Sequence, residues 1–362
     1  MKICFCIDTM ESGGAERVAS MLCNEFVELG HEVDLIMISA QKKISFYDLD
    51  KKINLIPLLS CCKKKNSSFL NKVFLLKKHF KNNHYEVVIS FLPNVNFCVF
   101  LSLKRFNGTI HIASERNNPY QDPQSKIRRF FKELAFKNAD GIVFQTEDAK
   151  NYFNNKIKCP VQVIKNPVLP VINNIDLEAK TNGNIISVGR LEEQKNFPLL
   201  INAFFQFNKL YPSSRLKIFG EGSLKDKLAE LVDSLNLSNI VQLCGNSKTW
   251  IEDSYNCSLF INSSFYEGMP NSLLEALING MPCIASDCPI GGSRELLSYR
   301  NGLLFNNDNQ QDLINKMCFL YNNDTLVAEY RRANFKMRDY YSSQTISKQW
   351  IEFIERIIHE TK

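Results

Sequence analysis

Two glutamates with seven residues between them are the groups in this 362-residue chain that could grip a single ligand. Glu267 follows an apolar run that is predicted to be a strand, and Glu275 lies about one turn into the helix that opens next. In open α/β sheets, ligands bind at the carboxyl ends of the strands. Both carboxylates are therefore expected to meet one ligand, Glu267 from a loop and Glu275 from a helix.

The same helix adds a site for an anion at its start. Gly268, Met269 and Pro270 lead into the helix, and Asn271 or Ser272 is expected to cap it. A helix start presents backbone N–H groups and the positive end of the helix dipole. These five residues are therefore predicted to line a diphosphate site.

A pair of cations lies at the equivalent position of an earlier strand. The loop that begins at Gly189 carries Arg190 and Lys195. A departing diphosphate gains negative charge as its bond breaks, so two fixed cations would stabilise that transition state more than the ground state. We predict electrostatic catalysis by these cations, without proton transfer.

The elements that must position these groups alternate between strand and helix. Residues 2–8 are predicted to be a buried strand, which a Gly13-Gly14 turn, a helical pattern and a second strand follow. The alternation restarts near residue 184 and includes another glycine turn at Gly220. This pattern predicts an α/β fold with two Rossmann-like domains and mainly parallel sheets.

The segment from Asn166 to Pro170 interrupts both patterns, and we place the domain boundary there. The predicted division is an N-terminal domain over residues 1–167, a second domain over 168–340 and a closing segment over 341–362. The closing segment contains an amphipathic helix that must pack on another part of the chain.

Charge is uneven along the chain, whose formal net charge is +6. The first 170 residues contain 25 Lys and Arg against 16 Asp and Glu, and the remainder is slightly acidic. The excess gathers at Lys63–Lys65, Lys77–Lys81 and Lys126–Lys137, between phenylalanines and leucines. This interleaving favours an anionic membrane surface over a nucleic acid, which we do not expect as a partner. A core-packing helix with a basic outer face explains residues 126–137 equally well.

Other sequence features bear on the compartment. No apolar run approaches the roughly 20 residues of a spanning helix, and the N-terminal apolar run lacks the pattern of a cleaved signal. The twelve cysteines are dispersed without a C-x-x-C pair, so we expect reduced and mostly buried thiols. The expected location is the cytoplasm, either free or peripheral on the inner face of the plasma membrane.

Asp48 and Asp50 have the D-x-D spacing of a divalent-metal site. They precede Lys51 and Lys52 in a polar connection without a histidine or a third acid beside them. We interpret them as a solvated turn and predict no metal and no other cofactor.

Four motifs, in their order along the chain, resemble glycosyltransferase family 4, whose members are retaining enzymes of the GT-B fold. They are the N-terminal Gly13–Arg17, residues 188–196, the Phe219–Gly222 turn and the segment with the two glutamates. The resemblance covers nearly the whole chain. It implies two Rossmann-like domains whose parallel sheets face each other across a cleft, and a C-terminal helix that crosses back to the first domain.

The resemblance also implies roles for individual residues. Glu275 would hold the ribose hydroxyls of a nucleotide-sugar donor, and Glu267 would contact the transferred sugar. Arg190 and Lys195 would bind the diphosphate. The Gly13-Gly14 pair would let the first domain close over the donor.

Loops 114–119 and 287–295 are similar to those of a branch that builds lipid-linked surface glycans, such as capsule and lipopolysaccharide. The implied reaction moves a hexose or N-acetylhexosamine from a nucleotide sugar, expected to be a UDP-sugar. The implied acceptor is a glycan or a polyprenyl-diphosphate-linked oligosaccharide.

The chain departs from the family pattern at one position. Many relatives place a histidine near the sugar in the loop after the fourth or fifth strand, where this chain has Ser114-Glu115-Arg116. His111 lies three residues earlier, and its alternation indicates a satisfied strand residue. We therefore assign the role to Glu115 and Arg116.

Other functions remain compatible with the fold, because a scaffold does not determine chemistry. A sugar-nucleotide epimerase or a phosphorylase would form its product without the glycan acceptor. A non-catalytic nucleotide-sugar-binding subunit would bind the donor without turnover. A nicotinamide dehydrogenase is disfavoured, since no predicted strand ends in G-x-G-x-x-G with an acid about twenty residues on.

Overall fold

Two parallel sheets, each in its own unit, organise the chain. The computed structural model describes residues 1–60, 68–103, 108–171 and 181–361. One unit comprises Met1–Val168 with Tyr341–Lys362, and the other comprises Leu169–Tyr340.

The first unit has a seven-stranded sheet in the order β3-β2-β1-β4-β5-β6-β7. Its strands are β1 (Lys2–Ile7), β2 (Glu32–Met37), β3 (Asn54–Pro57), β4 (Val87–Phe91), β5 (Ile110–Ser114), β6 (Gly141–Phe144) and β7 (Val161–Val163). Its helices are α1 (Gly14–Glu28), α2 (Phe69–Asn82), α3 (Pro93–Leu103), α4 (Lys126–Lys137) and α5 (Glu147–Phe153). The strand order reverses between β1 and β4, as in a Rossmann-like domain.

Strand β1 shows why this sheet is buried on both faces. Ile3, Phe5 and Ile7 belong to one apolar core, and Cys4 and Cys6 belong to another. Successive side chains of a strand point to opposite faces of the sheet. A nearly continuous apolar run is therefore what a parallel sheet between two helical layers requires.

The second unit has a six-stranded parallel sheet in the order β10-β9-β8-β11-β12-β13. Its strands are β8 (Asn184–Val188), β9 (Arg215–Phe219), β10 (Val241–Gly245), β11 (Leu259–Asn262), β12 (Cys283–Ser286) and β13 (Leu303–Phe305). Its helices are α6 (Phe197–Leu210), α7 (Lys225–Ser234), α8 (Asn271–Ile278), α9 (Gly292–Leu296), α10 (Gln310–Tyr321) and α11 (Asp324–Phe335). The prediction of two Rossmann-like domains with parallel sheets is confirmed.

The last helix, α12 (Ser343–Thr361), packs into the core of the first unit. Its buried positions Ile346, Trp350, Phe353 and Ile357 recur at helical spacing on one side. A methyl group added at Gly141 in β6 would lie 2.2 Å from Ile357 Cδ1, so helix and strand approach closely. The predicted return of the closing helix to the first domain is confirmed.

The cysteines bear out the expected thiol chemistry within the described residues. All ten described cysteines are free, and seven of them are buried. Cys61 and Cys62 lie outside the described residues, as does the basic cluster Lys63–Lys65. Among the described helices, none combines the length and apolarity needed to cross a membrane.

Candidate active site

Most of the predicted site residues lie at one edge of the second sheet, where the neighbouring strands β9, β8, β11 and β12 end. Because the strands are parallel, their carboxyl ends meet at this edge. The loop after β8 contributes residues 189–196, and the loop after β11 contributes residues 263–270.

The structure brings Lys195 and Glu267 into direct contact. The Lys195 ammonium lies 2.5 Å from Glu267 Oε1, which also accepts a hydrogen bond of 2.7 Å from the Ser264 hydroxyl. The two ionic side chains are only 14% and 8% exposed. Little water screens the pair, so its attraction is stronger than that of a surface ion pair.

Gln194, which the sequence did not single out, ties the same two loops together. Its side-chain amide donates to the Tyr266 carbonyl at 2.9 Å and to Glu267 Oε2 at 3.3 Å. Its backbone carbonyl accepts from the Phe265 N–H at 2.8 Å. The orientation of the Glu267 carboxylate is therefore set by the loop after β8 as well as by its own loop.

Glycines allow the loops after β8 and β9 to touch backbone to backbone. Gly220 has φ +142°, and a methyl group there would lie 1.9 Å from the Gly189 carbonyl oxygen. A methyl group at Gly189 would lie 2.9 Å from Lys195 Cε. The absence of a side chain at Gly189 therefore leaves room for the Lys195 side chain, and its absence at Gly220 lets the two loops touch.

The loops after β11 and β12 are in similarly close contact. A methyl group at Gly292 would lie 1.8 Å from the Gly268 carbonyl oxygen. Met269 beside it is 5% exposed, and Pro270 is also buried. The segment that leads into α8 is thus held in place by its contact with the loop after β12 and by its own buried side chains.

The predicted side-chain cap of α8 is wrong. The residue at the cap position is Pro270, which makes no side-chain capping hydrogen bond, and the helix begins at Asn271. The Ser272 hydroxyl instead donates to the Val188 carbonyl at the end of β8, at 3.0 Å. The serine therefore links the start of α8 to the end of β8.

Glu275 and Arg190 occupy the same edge in different surroundings. Glu275 lies four residues into α8, about 6 Å along its axis, and is 4% exposed. Arg190 follows Gly189 directly and is exposed. The Glu275 carboxyl group is therefore buried, whereas the Arg190 side chain is exposed to solvent.

Cys288 lies near the Lys195–Glu267 pair but offers no nucleophile. Burial, reinforced by the Glu267 charge, raises the pKa of its thiol to about 12. The thiolate, which is the reactive form, is scarce near neutral pH.

In the first unit, the predicted Glu115 is buried and engaged. Its carboxylate lies 2.7 Å from the Lys132 ammonium of α4, and both side chains are at most 2% exposed. It also accepts from the backbone N–H groups of Arg116 and Asn117. Burial raises the pKa of Glu115, and the charge of Lys132 opposes that rise. These contacts suit a carboxylate that orients its loop, and they identify Lys132 as a residue that the sequence reasoning missed.

Arg116 is held by contacts with the end of β4 and with the segment that follows β7. One guanidinium nitrogen donates to Asn166 Oδ1 at 2.7 Å, and the guanidinium carbon lies 4.2 Å from the centre of the Phe91 ring. Asn166 Oδ1 also accepts from Gln145 at 2.6 Å. Burial lowers the pKa of Arg116 to about 9, so the side chain still carries its charge at neutral pH.

His111 lies in β5, buried as its alternation predicted. The Ser90 hydroxyl lies 2.8 Å from His111 Nε2 and donates to Asn96 Oδ1 at 2.7 Å. A hydroxyl has one proton to donate, so the imidazole supplies its Nε2–H to this serine. Asn96 in turn donates to the Ser114 carbonyl at 3.2 Å, which braces the start of the Glu115 loop. Burial lowers the pKa of His111 to about 4.

The remaining predicted positions lie near α1. Gly13 precedes α1 in extended conformation, and its carbonyl accepts from the Tyr47 hydroxyl at 3.0 Å; Gly14 is the first residue of the helix. Asp48 and Asp50 lie in a loop that the Asn24 side chain of α1 holds, since its amide donates to the Asp48 carbonyl and accepts from the Asp50 N–H. Across the described residues, no cluster of three or more His, Cys, Asp or Glu side chains could hold a metal ion.

Comparisons with known proteins agree with this two-unit organisation. Residues 12–170 match the family described as Glycosyltransferase Family 4, and residues 172–337 match the family described as Glycosyl transferases group 1. The two matches together extend over both units.

Two curated proteins illustrate the range of relatives. An uncharacterised glycosyltransferase of Methanocaldococcus jannaschii is 32% identical over 248 residues, which cover 62% of this chain and 60% of that protein. A Campylobacter jejuni enzyme is 27% identical over 99% of both chains. Its name describes α-1,4-N-acetylgalactosaminyl transfer to an undecaprenyl-diphosphate-linked glycan.

A solved structure shows the same fold over the full length. Staphylococcus aureus TarM, in complex with fondaparinux, α-GlcNAc-glycerol and UDP, aligns with a TM-score of 0.79 at 17% identity. The alignment covers 98% of this chain and all of that one.

Proposed function

The chain belongs to glycosyltransferase family 4, and from that premise we propose that it is a retaining enzyme that transfers a hexose or N-acetylhexosamine from a UDP-sugar. The proposed acceptor is a glycan or a polyprenyl-diphosphate-linked sugar in the synthesis of a surface polysaccharide. The observation that carries the proposal is the buried contact of Lys195 with Glu267 where β8 and β11 end.

The proposed donor site uses the edge of the second sheet. Lys195 and Arg190 would bind the diphosphate, together with backbone N–H groups at the start of α8. Glu275, one turn further along α8, would hold the ribose hydroxyls. Gly220 and Gly292 let the loop backbones approach Gly189 and Gly268 closely, so that such a ligand could rest on main chain.

The proposed chemistry follows from charge. The bond between the anomeric carbon and the diphosphate breaks, and the acceptor oxygen attacks from the same face, so that the configuration is retained. The acceptor proton passes to an oxygen of the departing diphosphate. Lys195 and Arg190 stabilise the negative charge that this step develops, without giving up a proton.

Glu267 would contact the transferred sugar while it holds Lys195 in place. Its carboxylate has one oxygen on the Lys195 ammonium and the Ser264 hydroxyl, and the other within reach of Gln194. A group anchored at this many points changes position little during the reaction, which favours transition-state binding.

In the first unit, we propose that Arg116 faces the acceptor or the sugar and that Glu115 acts through it. Glu115 accepts the Arg116 backbone N–H and is bound to Lys132, so it orients the loop that presents the guanidinium. We propose that the Gly13-Gly14 turn takes part in donor binding.

Relatives support the choice of donor and acceptor classes. The C. jejuni enzyme is named for transfer to a lipid-linked glycan, and the TarM structure contains UDP and α-GlcNAc-glycerol. We propose the same donor class and the same acceptor class for this chain, with no metal ion or other cofactor.

A donor screen tests the proposal directly. The purified protein is heated with UDP-, GDP- and ADP-sugars in turn, and a true donor present at a hundred times its dissociation constant stabilises the fold by about 2.7 kcal/mol. Proton NMR of the product formed with a lipid-linked acceptor then reports the anomeric configuration. An inverted product would contradict the retaining mechanism.

The same assay separates the alternatives. An altered sugar nucleotide without acceptor would indicate an epimerase, and phosphate-dependent cleavage of a glycan would indicate a phosphorylase. Tight donor binding with no turnover under any condition would indicate a non-catalytic subunit.

A further inference from the structure

An exposed apolar face runs across three neighbouring helices of the first unit. We call it the α2–α4 face and define it by Phe69, Leu70 and Phe74 of α2, Phe97 of α3, and Phe130 and Phe131 of α4. Leu70 is 77% exposed, Phe74 65% and Phe130 62%. Large apolar side chains this exposed cost free energy in water unless something covers them.

Stacked rings make the face continuous from α2 to α4. Phe97 of α3 stacks on Phe69 of α2 with ring centres 5.6 Å apart and planes 12° apart. Phe97 also stacks on Phe131 of α4, with ring centres 4.6 Å apart and planes 28° apart. The helices are thus joined at their outer surface by aromatic side chains.

Lysines continue this face along α2. Lys77, Lys78 and Lys81 follow Leu70 and Phe74 at helical spacing, and all five residues are exposed. Helix α2 contains four lysines and no Asp or Glu. The apolar part of the helix surface therefore passes directly into a cationic part.

Helix α4 repeats this arrangement. Lys126, Arg128 and Lys137 are exposed, and its single acid, Glu133, is paired with Lys156 at 3.0 Å. Lys132 points inward to Glu115, so the exposed surface of α4 carries the other basic residues and the phenylalanines. The helix packs on the unit and also presents a basic aromatic surface, so its side chains are compatible with both interpretations of residues 126–137.

We propose that the α2–α4 face docks on the surface of an anionic lipid bilayer. The phenylalanines and Leu70 enter the boundary between headgroups and acyl chains, and the flanking lysines and Arg128 contact lipid phosphates. Lysine is depleted where proteins bind one another, whereas lysine beside exposed phenylalanine is typical of membrane-surface helices. This docking does not depend on the proposed transfer reaction, so either can fail without the other.

Co-sedimentation with vesicles tests the proposal. The full chain is mixed with vesicles of phosphatidylcholine alone or of phosphatidylcholine with phosphatidylglycerol, at low and high salt. We expect binding to the anionic vesicles that weakens as salt rises. The double variants Phe74→Ser with Phe130→Ser, and Lys78→Glu with Arg128→Glu, should each weaken it by about tenfold or more.

Matched variants on the second unit provide the control. Leu210→Ser with Phe319→Ser removes equally exposed apolar side chains, and Lys225→Glu with Lys227→Glu makes the same charge change. Circular dichroism establishes that each variant is folded. Binding that is retained by these controls and lost by the α2–α4 variants supports the proposal.

Three outcomes would overturn it. They are failure of the wild type to sediment with anionic vesicles, equal loss of binding in the control variants, and a protein oligomer in ultracentrifugation that the Phe74→Ser, Phe130→Ser variant alone disrupts. The last outcome would identify a second copy of the chain as the occupant of the face.

Discussion

Lys195 and Glu267 show how one contact can serve both stability and the proposed reaction. Each side chain is nearly buried and charged, and each neutralises the other while the loops after β8 and β11 are joined. Lys195 is already paired with the Glu267 carboxylate, so a bound diphosphate would be its second anionic partner. Lys195 can serve both because an ammonium has three donor hydrogens.

Replacing Lys195 by Met should therefore lower kcat by about a hundredfold or more, because a fixed cation at the leaving group is lost. The Glu267 carboxylate would also lose its cation, so a modest drop in melting temperature is expected. Steady-state kinetics and calorimetry measure the two effects. Lys227→Met, an exposed change on α7, is the control, and a Lys195→Met enzyme as active as this control would refute the assignment.

His111 gives the first unit a dependence on pH that its sequence position does not reveal. Its pKa is lowered by burial to about 4, below its usual value. When the pH falls below the unfolded pKa of about 6.5, the unfolded chain takes up a proton that the folded chain does not. Stability is therefore lost as the pH falls from 6.5 towards 4, and this histidine contributes up to about 3 kcal/mol of that loss.

Replacing His111 by Asn should flatten the pH profile of stability over this window. Burial also lowers the pKa values of His31 and His79, so the difference between wild type and variant is the quantity to measure. Chemical denaturation at several pH values provides it, with the exposed His359→Asn as control. Parallel profiles for the wild type and His111→Asn would show that the buried imidazole is not the titrating group.

At the scale of elements, the site depends on loops that touch through glycine. Four strands of the second unit end at the same edge of the sheet. A Cβ atom added at Gly220 or Gly292 would overlap the backbone of the neighbouring loop. Such packing leaves the carbonyl and N–H groups of the loops close together, which a ligand made of phosphate and sugar hydroxyls can use.

Gly220→Ala tests this close contact. Its φ of +142° strains any other residue, and its new methyl group would lie 1.9 Å from a backbone oxygen. The loss of stability should clearly exceed the roughly 1–2 kcal/mol that strain alone costs. Gly30→Ala, at φ +84° with no atom within 4 Å of the added methyl, isolates that strain. Equal melting temperatures for the two variants would mean that the loops move apart at little cost.

At the scale of the whole molecule, the two units have the same type of sheet but carry different charged side chains. The second unit carries the buried acid-cation pair, and the first carries Arg116, the buried Glu115–Lys132 pair and the basic α2–α4 face. We propose that this difference separates donor binding from acceptor binding.

Hydrogen exchange with and without a UDP-sugar should show the separation. The backbone amides of residues 189–196 and 263–275 should become more protected when donor is added, because these loops make the proposed contacts. Mass spectrometry of peptides from both units measures the change. Protection confined to the first unit would reverse the proposed assignment of donor and acceptor.

The sequence by itself determined the fold class and the order of the elements that carry the site. Buried parallel strands are runs of apolar residues, and the glycine turns and helices between them have local signatures. The sequence pattern therefore places Glu267, Lys195 and the glycine turns at strand ends.

Only the tertiary structure decided which side chains meet. Lys195 and Glu267 are 72 positions apart, and Ser272 lies 84 positions from the carbonyl that it binds. The pairing of Glu115 with Lys132 likewise depends on how α4 packs beside β5. Local propensity describes a residue and its near neighbours, whereas these contacts result from the packing of whole elements.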